Sequence, residues 1–248
     1  MPRFFLDPSR SLEDKLFLDP QETHHAISVF RIKKGDPLDL LDGKGHRFRG
    51  VAGEVSNGRL SVRITEKTNT IFPSPVQVTL GVAVFRPERM EILIQKACEL
   101  GAHAMIPFIS ERSLVNLSAE RWEAKLKRWQ KIIQESCKQC GLPFAPEISS
   151  PGLYKNFISN IKNYDLVLLS TLEGVTAPLA AALPLAPPRR VLVLVGPEGD
   201  FSPKEADLAL RAGAKPVSLG PLVLRSETAG LYALSVLHFF YREVAVAK

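Results

Sequence analysis

The sequence predicts an α/β protein in which a parallel sheet follows a small all-β segment, and three observations carry that reading. Beyond about residue 75, short apolar runs alternate with segments of helical periodicity, the pattern of strand, helix, strand. Those apolar runs are continuous rather than alternating, as in strands covered on both faces. Before residue 68 the text is different: short strand-like runs separated by turn signals. With 248 residues, 45% of them hydrophobic, the chain is large enough to bury a sizeable core.

From the N-terminus, turns are expected at Lys34-Gly35-Asp36-Pro37, Asp42-Gly43-Lys44-Gly45 and Asn57-Gly58. Between them Leu38–Leu41, Phe48–Val55 and Leu60–Ile64 read as strands of a small antiparallel barrel or sheet. The polar stretch from Thr68 to Pro75 has neither periodicity nor alternation and reads as a linker. These boundaries give a β domain over 1–70 and an α/β domain over 75–248.

In the second domain Val76–Phe85 and Ala104–Ile109 read as strands flanking a helix over Glu88–Leu100. That helix puts Met90, Leu93, Ile94, Ala97 and Cys98 on one face, with Gly101 just past its end. Ser118 is placed to cap a long helix ending at Gly141, striped by Trp122, Leu126, Trp129, Ile133, Cys137 and Cys140. Leu166–Leu169, Val191–Val195 and Val217–Leu219 supply further strands, and Ala177–Leu183 and Glu227–Val244 further helices. Pro184, Pro187 and Pro188 mark a surface loop, and no internal repeat is present.

The net charge of +6 favours an anionic partner such as nucleic acid. No apolar run approaches a membrane span or a secretory signal, so the expected location is cytoplasmic, with no membrane partner. Cys137 and Cys140 form a C-x-x-C with no second Cys/His pair, which fits two cysteines on a helix face better than a metal site. No metal is expected.

Two glycine-punctuated loops carry the functional signal. The first, Val195-Gly196-Pro197-Glu198-Gly199-Asp200-Phe201, enters a helix through Ser202-Pro203-Lys204-Glu205, a capping box with proline at its first position. It matches neither the dinucleotide nor the P-loop pattern, and Glu198 and Asp200 would repel a polyphosphate. The second, Leu219-Gly220-Pro221-Leu222-Val223-Leu224-Arg225-Ser226-Glu227-Thr228-Ala229-Gly230, is mostly apolar and suits a flat heteroaromatic ring such as adenine, held by main chain and packed by Leu219, Leu224 and Ala229. On pattern alone, ordinary connecting loops of an α/β domain remain an equal alternative.

Gly196-Pro197-Glu198-Gly199-x-Phe201-Ser202 together with Leu219-Gly220-Pro221-x-x-Leu224-Arg225-x-Glu227-Thr228-Ala229 resembles the paired signature of the RsmE family, 16S rRNA uracil-N3 methyltransferases of the SPOUT superfamily. Further matches include Arg3-Phe4-Phe5, His24-His25, Arg31, Gly35-Asp36, Asp42-Gly43, Gln95-Lys96-Ala97-x-Glu99-Leu100-Gly101, Arg112-Ser113, Arg128-Trp129, Gln139-x-Gly141 and Pro146. The resemblance implies a PUA-like RNA-binding barrel, a SPOUT parallel sheet with a C-terminal trefoil knot, a homodimer, and 16S rRNA within the 30S subunit as substrate. It also implies S-adenosylmethionine in the loops, held by Leu172, Val195, Gly196, Pro197, Glu198, Gly199, Leu219, Gly220, Leu224, Ser226, Thr228 and Ala229. Sulfonium methyl transfer needs no metal.

Three departures from the family pattern stand out: Asp200 replaces a glycine, Leu222 an arginine, and Lys138-Gln139-Cys140-Gly141-Leu142 replaces Glu-Gln-x-Gly-Arg. Methylation at N3 requires loss of the N3 proton and stabilisation of charge on O2 and O4. Arg225 is the expected stabiliser, against the alternative of an ion pair with Glu227 that merely orders the loop; Glu227 or Glu198 is a candidate base. RNA contacts are expected from Arg3, His24, His25, Arg31 and Lys44 in the β domain, with one histidine ring packed against the barrel. Arg112 joins them, as do Arg121, Lys125 and Arg128 on one flank of the long helix, with Lys127, Lys131 and Lys138 on the other; on pattern alone such flanks are more often a solvated face, and the resemblance shifts them toward phosphate contact. Gln95, Glu99 and Arg112 also suit a purely structural role between helix and strand. Two other readings stay open: a non-catalytic RNA-binding or ribosome-assembly factor, and a SPOUT methyltransferase acting on tRNA or a ribose 2′-oxygen.

Overall fold

The chain is described here by a computed structural model covering residues 1–6, 15–72, 74–113 and 118–244. Two compact units result, one formed by Met1–Phe72 with Gln134–Ala145 and the other by Pro73–Ile133 with Pro146–Lys248. Of the expected linker, Pro73 lies outside the described residues.

The first unit holds a five-stranded sheet in the order β1-β3-β4-β5-β2. Its strands are β1 (Arg3–Phe5), β2 (Lys15–Phe17), β3 (Pro37–Leu41), β4 (His46–Ser56) and β5 (Arg59–Asn69). The β4–β5 hairpin turns at Asn57-Gly58, where both residues have positive φ, 50° and 72°; that is what a tight turn matching strand twist requires. Leu38 and Leu40 on β3, Phe48 and Ala52 on β4, and Leu60 and Val62 on β5 point to one face and form a core with Phe4, Leu16 and Leu18. The two outer strands escape sequence reading because three residues are too short to show alternation, and β1 pairs with β3 in parallel, not antiparallel. Thr68 and Asn69 belong to β5, so the expected linker is shorter than the sequence suggests.

Asp19 caps helix α1 (Pro20–His24) by accepting from the Glu22 amide, with proline at the first position. The chain continues through a wider turn, His25–Val29, to Arg31 at φ 55°. The C-terminal end of helix α3 (Ala119–Cys140) supplies this unit with Lys138, which is buried and not on a solvated flank as its sequence position suggests. Its ammonium lies 2.7 Å from Glu22 and 2.8 Å from Glu135, partners that keep it charged despite burial. Burial disfavours that charge, but the bonds to Glu135 and Glu22 outweigh it and raise the Lys138 pKa.

The second unit is built on a parallel sheet, β11-β13-β10-β12-β6-β7-β8, with β9 paired to β7. The strands are β6 (Gln77–Ala83), β7 (Ala104–Ile109), β8 (Glu147–Ile148), β9 (Gly152–Leu153), β10 (Leu166–Ser170), β11 (Ala177–Pro178), β12 (Arg190–Val195) and β13 (Lys215–Ser218). Helix α2 (Pro87–Glu99) buries Met90, Leu93, Ile94, Ala97 and Cys98, the face its periodicity predicts. It packs with α7 (Ser226–Phe239), where Gly230 lets the helices approach: a Cβ there would lie 3.3 Å from Leu93. A second core gathers Phe108, Tyr154, Ile158 and Phe201 with α4 (Tyr154–Ile158) and α6 (Pro203–Arg211); the Phe108 and Tyr154 rings lie 4.9 Å apart.

Two helices differ from expectation. Ala177 and Pro178 pair with β13, leaving only Leu179–Ala182 as helix α5, because a proline disfavours the helical conformation of the residue before it. The C-terminal helix is regular to Phe239 and widens over Phe240–Val244. The expected strand Val217–Leu219 is shifted to Lys215–Ser218, releasing Leu219 to the loop that follows.

His238 on α7 is buried, its Nδ1 2.9 Å from Ser74 Oγ. Burial, reinforced by the Arg242 charge, depresses its pKa from 6.5 to about 4. The unfolded chain therefore binds the proton first, so His238 stabilises the fold above its unfolded pKa and that stability is lost as the pH falls from 6.5 toward 4. The urea midpoint is expected to drop over that window, and less steeply in His238→Gln. An identical pH profile in the variant would assign the acid sensitivity to other groups.

Candidate functional site

A pocket of about 550 Å³ lies where β10, β12 and β13 end, within the range that takes a drug-sized ligand. The three strands are neighbours, in the order β13-β10-β12, and the pocket opens at their carboxyl ends, where open parallel sheets present loops. Each strand feeds one wall. After β10 come Thr171, Leu172 and Thr176; after β12 the wall is Gly196 to Asp200; after β13 it is Leu219 to Arg225.

The wall after β12 is pinned at its far end. Ser202 caps α6 by accepting from the Glu205 amide, and Glu205 accepts in return from the Ser202 amide, the reciprocal box that the sequence predicts. The same buried carboxylate accepts from Ser110 Oγ at 2.9 Å and from the Glu111 amide at 2.9 Å. Asp200 sits at φ 65° after Gly199 at φ 97°. The wall after β13 is held by Ser226, whose hydroxyl donates to the Gly196 carbonyl at 2.9 Å.

Most residues proposed from sequence for the cofactor meet at this pocket: Leu172, Val195, Gly196, Pro197, Glu198, Gly199, Leu219, Gly220, Leu224, Ser226 and Ala229 all line it. Thr228 does not; it lies exposed on the first turn of α7. Arg225 lines the rim and is exposed, with no ion pair among the described residues. Glu227 does not pair with Arg225. It lies 3.8 Å from Arg89, whose guanidinium also bonds Glu198. Sequence reasoning does not single out Arg89: it stands beside the apolar Met90 at the start of α2, with nothing local to distinguish it from a solvated helix arginine.

The rim brings main-chain groups of Gly196 to Asp200 and Leu219 to Arg225 beside apolar side chains. That lining suits the polar edge of a heteroaromatic ligand, and the acidic Glu198 and Asp200 suit a cationic group better than a phosphate.

The cationic residues proposed for RNA divide between the two units. In the first unit Arg3 donates to the Lys138 and Gln139 carbonyls at 3.0 and 2.9 Å, capping the end of α3. His25 packs edge-on against Phe4, the packed ring that the sequence leads one to expect, while His24 is exposed and bonds Ser28. Arg31 and Lys44 are exposed. In the second unit Arg112 donates to the Gly199 carbonyl, and Arg128 pairs with Glu91 at 2.7 Å. Arg121 is exposed and Lys125 half-buried. Of the departures, Leu222 is 74% exposed at the pocket rim whereas Leu142 is buried in the first unit. No helix among the described residues is long and apolar enough to cross a membrane.

Comparison with known proteins places this geometry. A family model described as an RNA methyltransferase domain matches residues 72–238, and one described as an RNA methyltransferase PUA domain matches residues 18–65. The chain is 34% identical to ribosomal RNA small subunit methyltransferase E of Aquifex aeolicus over 229 residues, covering 91% of this chain and 94% of that protein. Against the Bacillus subtilis protein of the same name it is 28% identical over 247 residues, 96% of each chain. The structure of the Neisseria gonorrhoeae methyltransferase E bound to S-adenosyl methionine superposes with a TM-score of 0.86 at 28% identity, covering 97% of this chain and 98% of that one. A Legionella pneumophila protein described as a methyltransferase, in complex with the same cofactor, gives 0.87 at 34% identity, covering 95% and 96%. With a PUA-type sheet, a parallel α/β sheet and both family models matched in order, the chain belongs to the ribosomal RNA small subunit methyltransferase E family.

Proposed function

We propose that this chain transfers a methyl group from S-adenosylmethionine to N3 of one uridine in 16S rRNA, acting on the 30S subunit. The observation that carries the reading is the three-walled pocket at the ends of β10, β12 and β13, whose rim bears an exposed arginine, Arg225, with no ion pair among the described residues. Val195, Gly196, Leu219, Gly220, Leu224 and Ala229 would hold the cofactor through main-chain groups and apolar contact. When bound, the cofactor supplies a methyl group already activated by its sulfonium.

The chain's own residues supply position and charge. Before the N3–C bond forms, the N3 proton would pass to water and leave negative charge spread over O2 and O4 of the ring; a guanidinium beside that edge stabilises the anion and lowers the barrier. The charge would be neutralised as N3 takes the methyl group and the sulfonium becomes a neutral thioether. Arg225 has this role. Glu227 contributes indirectly: with Glu198 it engages Arg89, so that neither acid draws the Arg225 charge away from substrate. The chain would be a cytoplasmic homodimer with a trefoil knot formed around the pocket loops, and its N-terminal domain would dock RNA.

Labelled methyl transfer to 30S particles from a strain lacking the enzyme, followed by mass mapping of the nucleoside, tests the reading. Methylation on tRNA or on a ribose oxygen would replace the substrate; cofactor binding without transfer to any RNA would make the chain an assembly factor. Because binding of cationic side chains to phosphates releases counterions, RNA affinity is expected to fall steeply with salt. Arg121→Ala with Lys125→Ala should reduce the log–log salt slope by about one for each phosphate that is no longer neutralised, measured by filter binding. An unchanged slope would place the RNA on another face.

A further inference from the structure

We infer that Asp200 is a positioning residue of the pocket, a carboxylate latch that fixes the wall after β10 against the wall after β12 and thereby sets cofactor affinity; the inference rests on the methyltransferase reading. The residue stands in the left-handed region, φ 65°, which glycine adopts freely and other side chains rarely do. Glycine would satisfy the backbone there at less conformational cost, so the side chain has to be accounted for by what it bonds. Its Oδ2 accepts from Thr171 Oγ1 and from the Leu172 amide, both at 2.7 Å, and its Oδ1 accepts from the Phe201 amide at 2.8 Å. Thr171 Oγ1 accepts in turn from the Glu173 amide at 3.2 Å, which extends the network along the β10 loop. Three bonds to an ionised acceptor are of the stronger kind, short and directional.

The geometry gives the latch its function. Thr171 and Leu172 form one wall of the pocket, and Gly196 to Asp200 another. Leu172 is 62% exposed and so has little packing of its own to hold it. A loop with few apolar neighbours samples many conformations, and a ligand that needs one of them bears the cost of ordering it. The Asp200 bonds meet that cost before the ligand arrives. The three donors to the carboxylate are two amides and a hydroxyl, which complement its charge.

The test compares Asp200→Gly, Asp200→Asn and Thr171→Val with wild type. Asp200→Gly keeps the backbone conformation and removes the latch. S-adenosylmethionine affinity by calorimetry is expected to weaken about tenfold in Asp200→Gly, and by less in Thr171→Val, with kcat at saturating cofactor little changed. Exchange of the Leu172 amide, followed by NMR without cofactor, is expected to accelerate in Asp200→Gly. Asp200→Asn retains one acceptor and should fall between. If the aspartate serves only the turn, Asp200→Gly would bind as wild type does and Leu172 would exchange unchanged, which overturns the latch alone. A wild-type chain that binds no S-adenosylmethionine overturns the methyltransferase reading and the affinity claim with it, while Leu172 exchange still reports on the latch bonds themselves.

Discussion

Replacing Arg225 with alanine is expected to lower kcat/KM for rRNA methylation by about 10²- to 10³-fold, the usual cost of removing a preorganised group that meets developing charge. S-adenosylmethionine affinity should stay within about twofold, because a group that acts on the substrate's charge contributes to the transition state and not to cofactor binding. The structure supports this in three ways. Arg225 lines the pocket rim and is exposed. Glu227, its nearest acidic neighbour in sequence, reaches Arg89 and not Arg225. Ser226 next to it is anchored to the Gly196 carbonyl, so the backbone that carries the guanidinium is held in place before any substrate arrives. Arg225→Lys retains a charge but loses the planar fork that matches two oxygens, and should recover only part of the rate. Steady-state kinetics on 30S particles, paired with calorimetry of the cofactor, separates the two effects. A kcat/KM near wild type would leave Arg225 with loop ordering alone.

What the sequence reveals and what it hides follows the range of the interactions. The Ser202/Glu205 capping box is legible because its partners are three positions apart, and so is the buried face of α2, which repeats with helical period. The pocket loops are legible because glycine and proline interrupt continuous apolar strands. Arg89 is hidden: it meets Glu198 across 109 positions of chain, and no local pattern encodes that pairing. Lys138 is hidden in the same way, since its burial depends on Glu22, 116 positions away. Asp200 is legible as a negative charge hostile to phosphate and as a departure from a glycine, but not as a bonding partner. Its bonds to Thr171 and Leu172 depend on β10 and β12 lying side by side, which is a property of the fold.

Replacing Glu205 with alanine is expected to destabilise the second unit by about 3 kcal/mol, since buried donors that lose a charged acceptor cost roughly 1–3 kcal/mol each, partly recovered by entering water. The residue is 4% exposed, yet its carboxylate accepts from Ser110 Oγ, the Glu111 amide and the Ser202 amide. The segment Ser110–Glu111 and the capped start of α6, distant in sequence, therefore meet on one side chain, and its main-chain carbonyl takes a fourth bond from the Tyr154 hydroxyl at 3.1 Å, which adds a third segment. Burial, and then the Glu205 charge, push the Tyr154 pKa up, which extends the range over which that hydroxyl stays a donor into more alkaline solution. Alanine removes the carboxylate and half of the capping box together. Glutamine keeps the shape but offers one acceptor oxygen and an NH₂ that faces donors, so Glu205→Gln should recover well under half of the loss. Urea unfolding followed by circular dichroism measures both. The damage should also reach the pocket, because the wall from Gly196 to Asp200 runs directly into the capped start of α6; cofactor affinity is expected to weaken in step with the loss of stability. A Glu205→Ala protein that unfolds at the wild-type midpoint would mean that water replaces the carboxylate without cost, and the three segments would then be held by the Phe108, Tyr154 and Phe201 core alone.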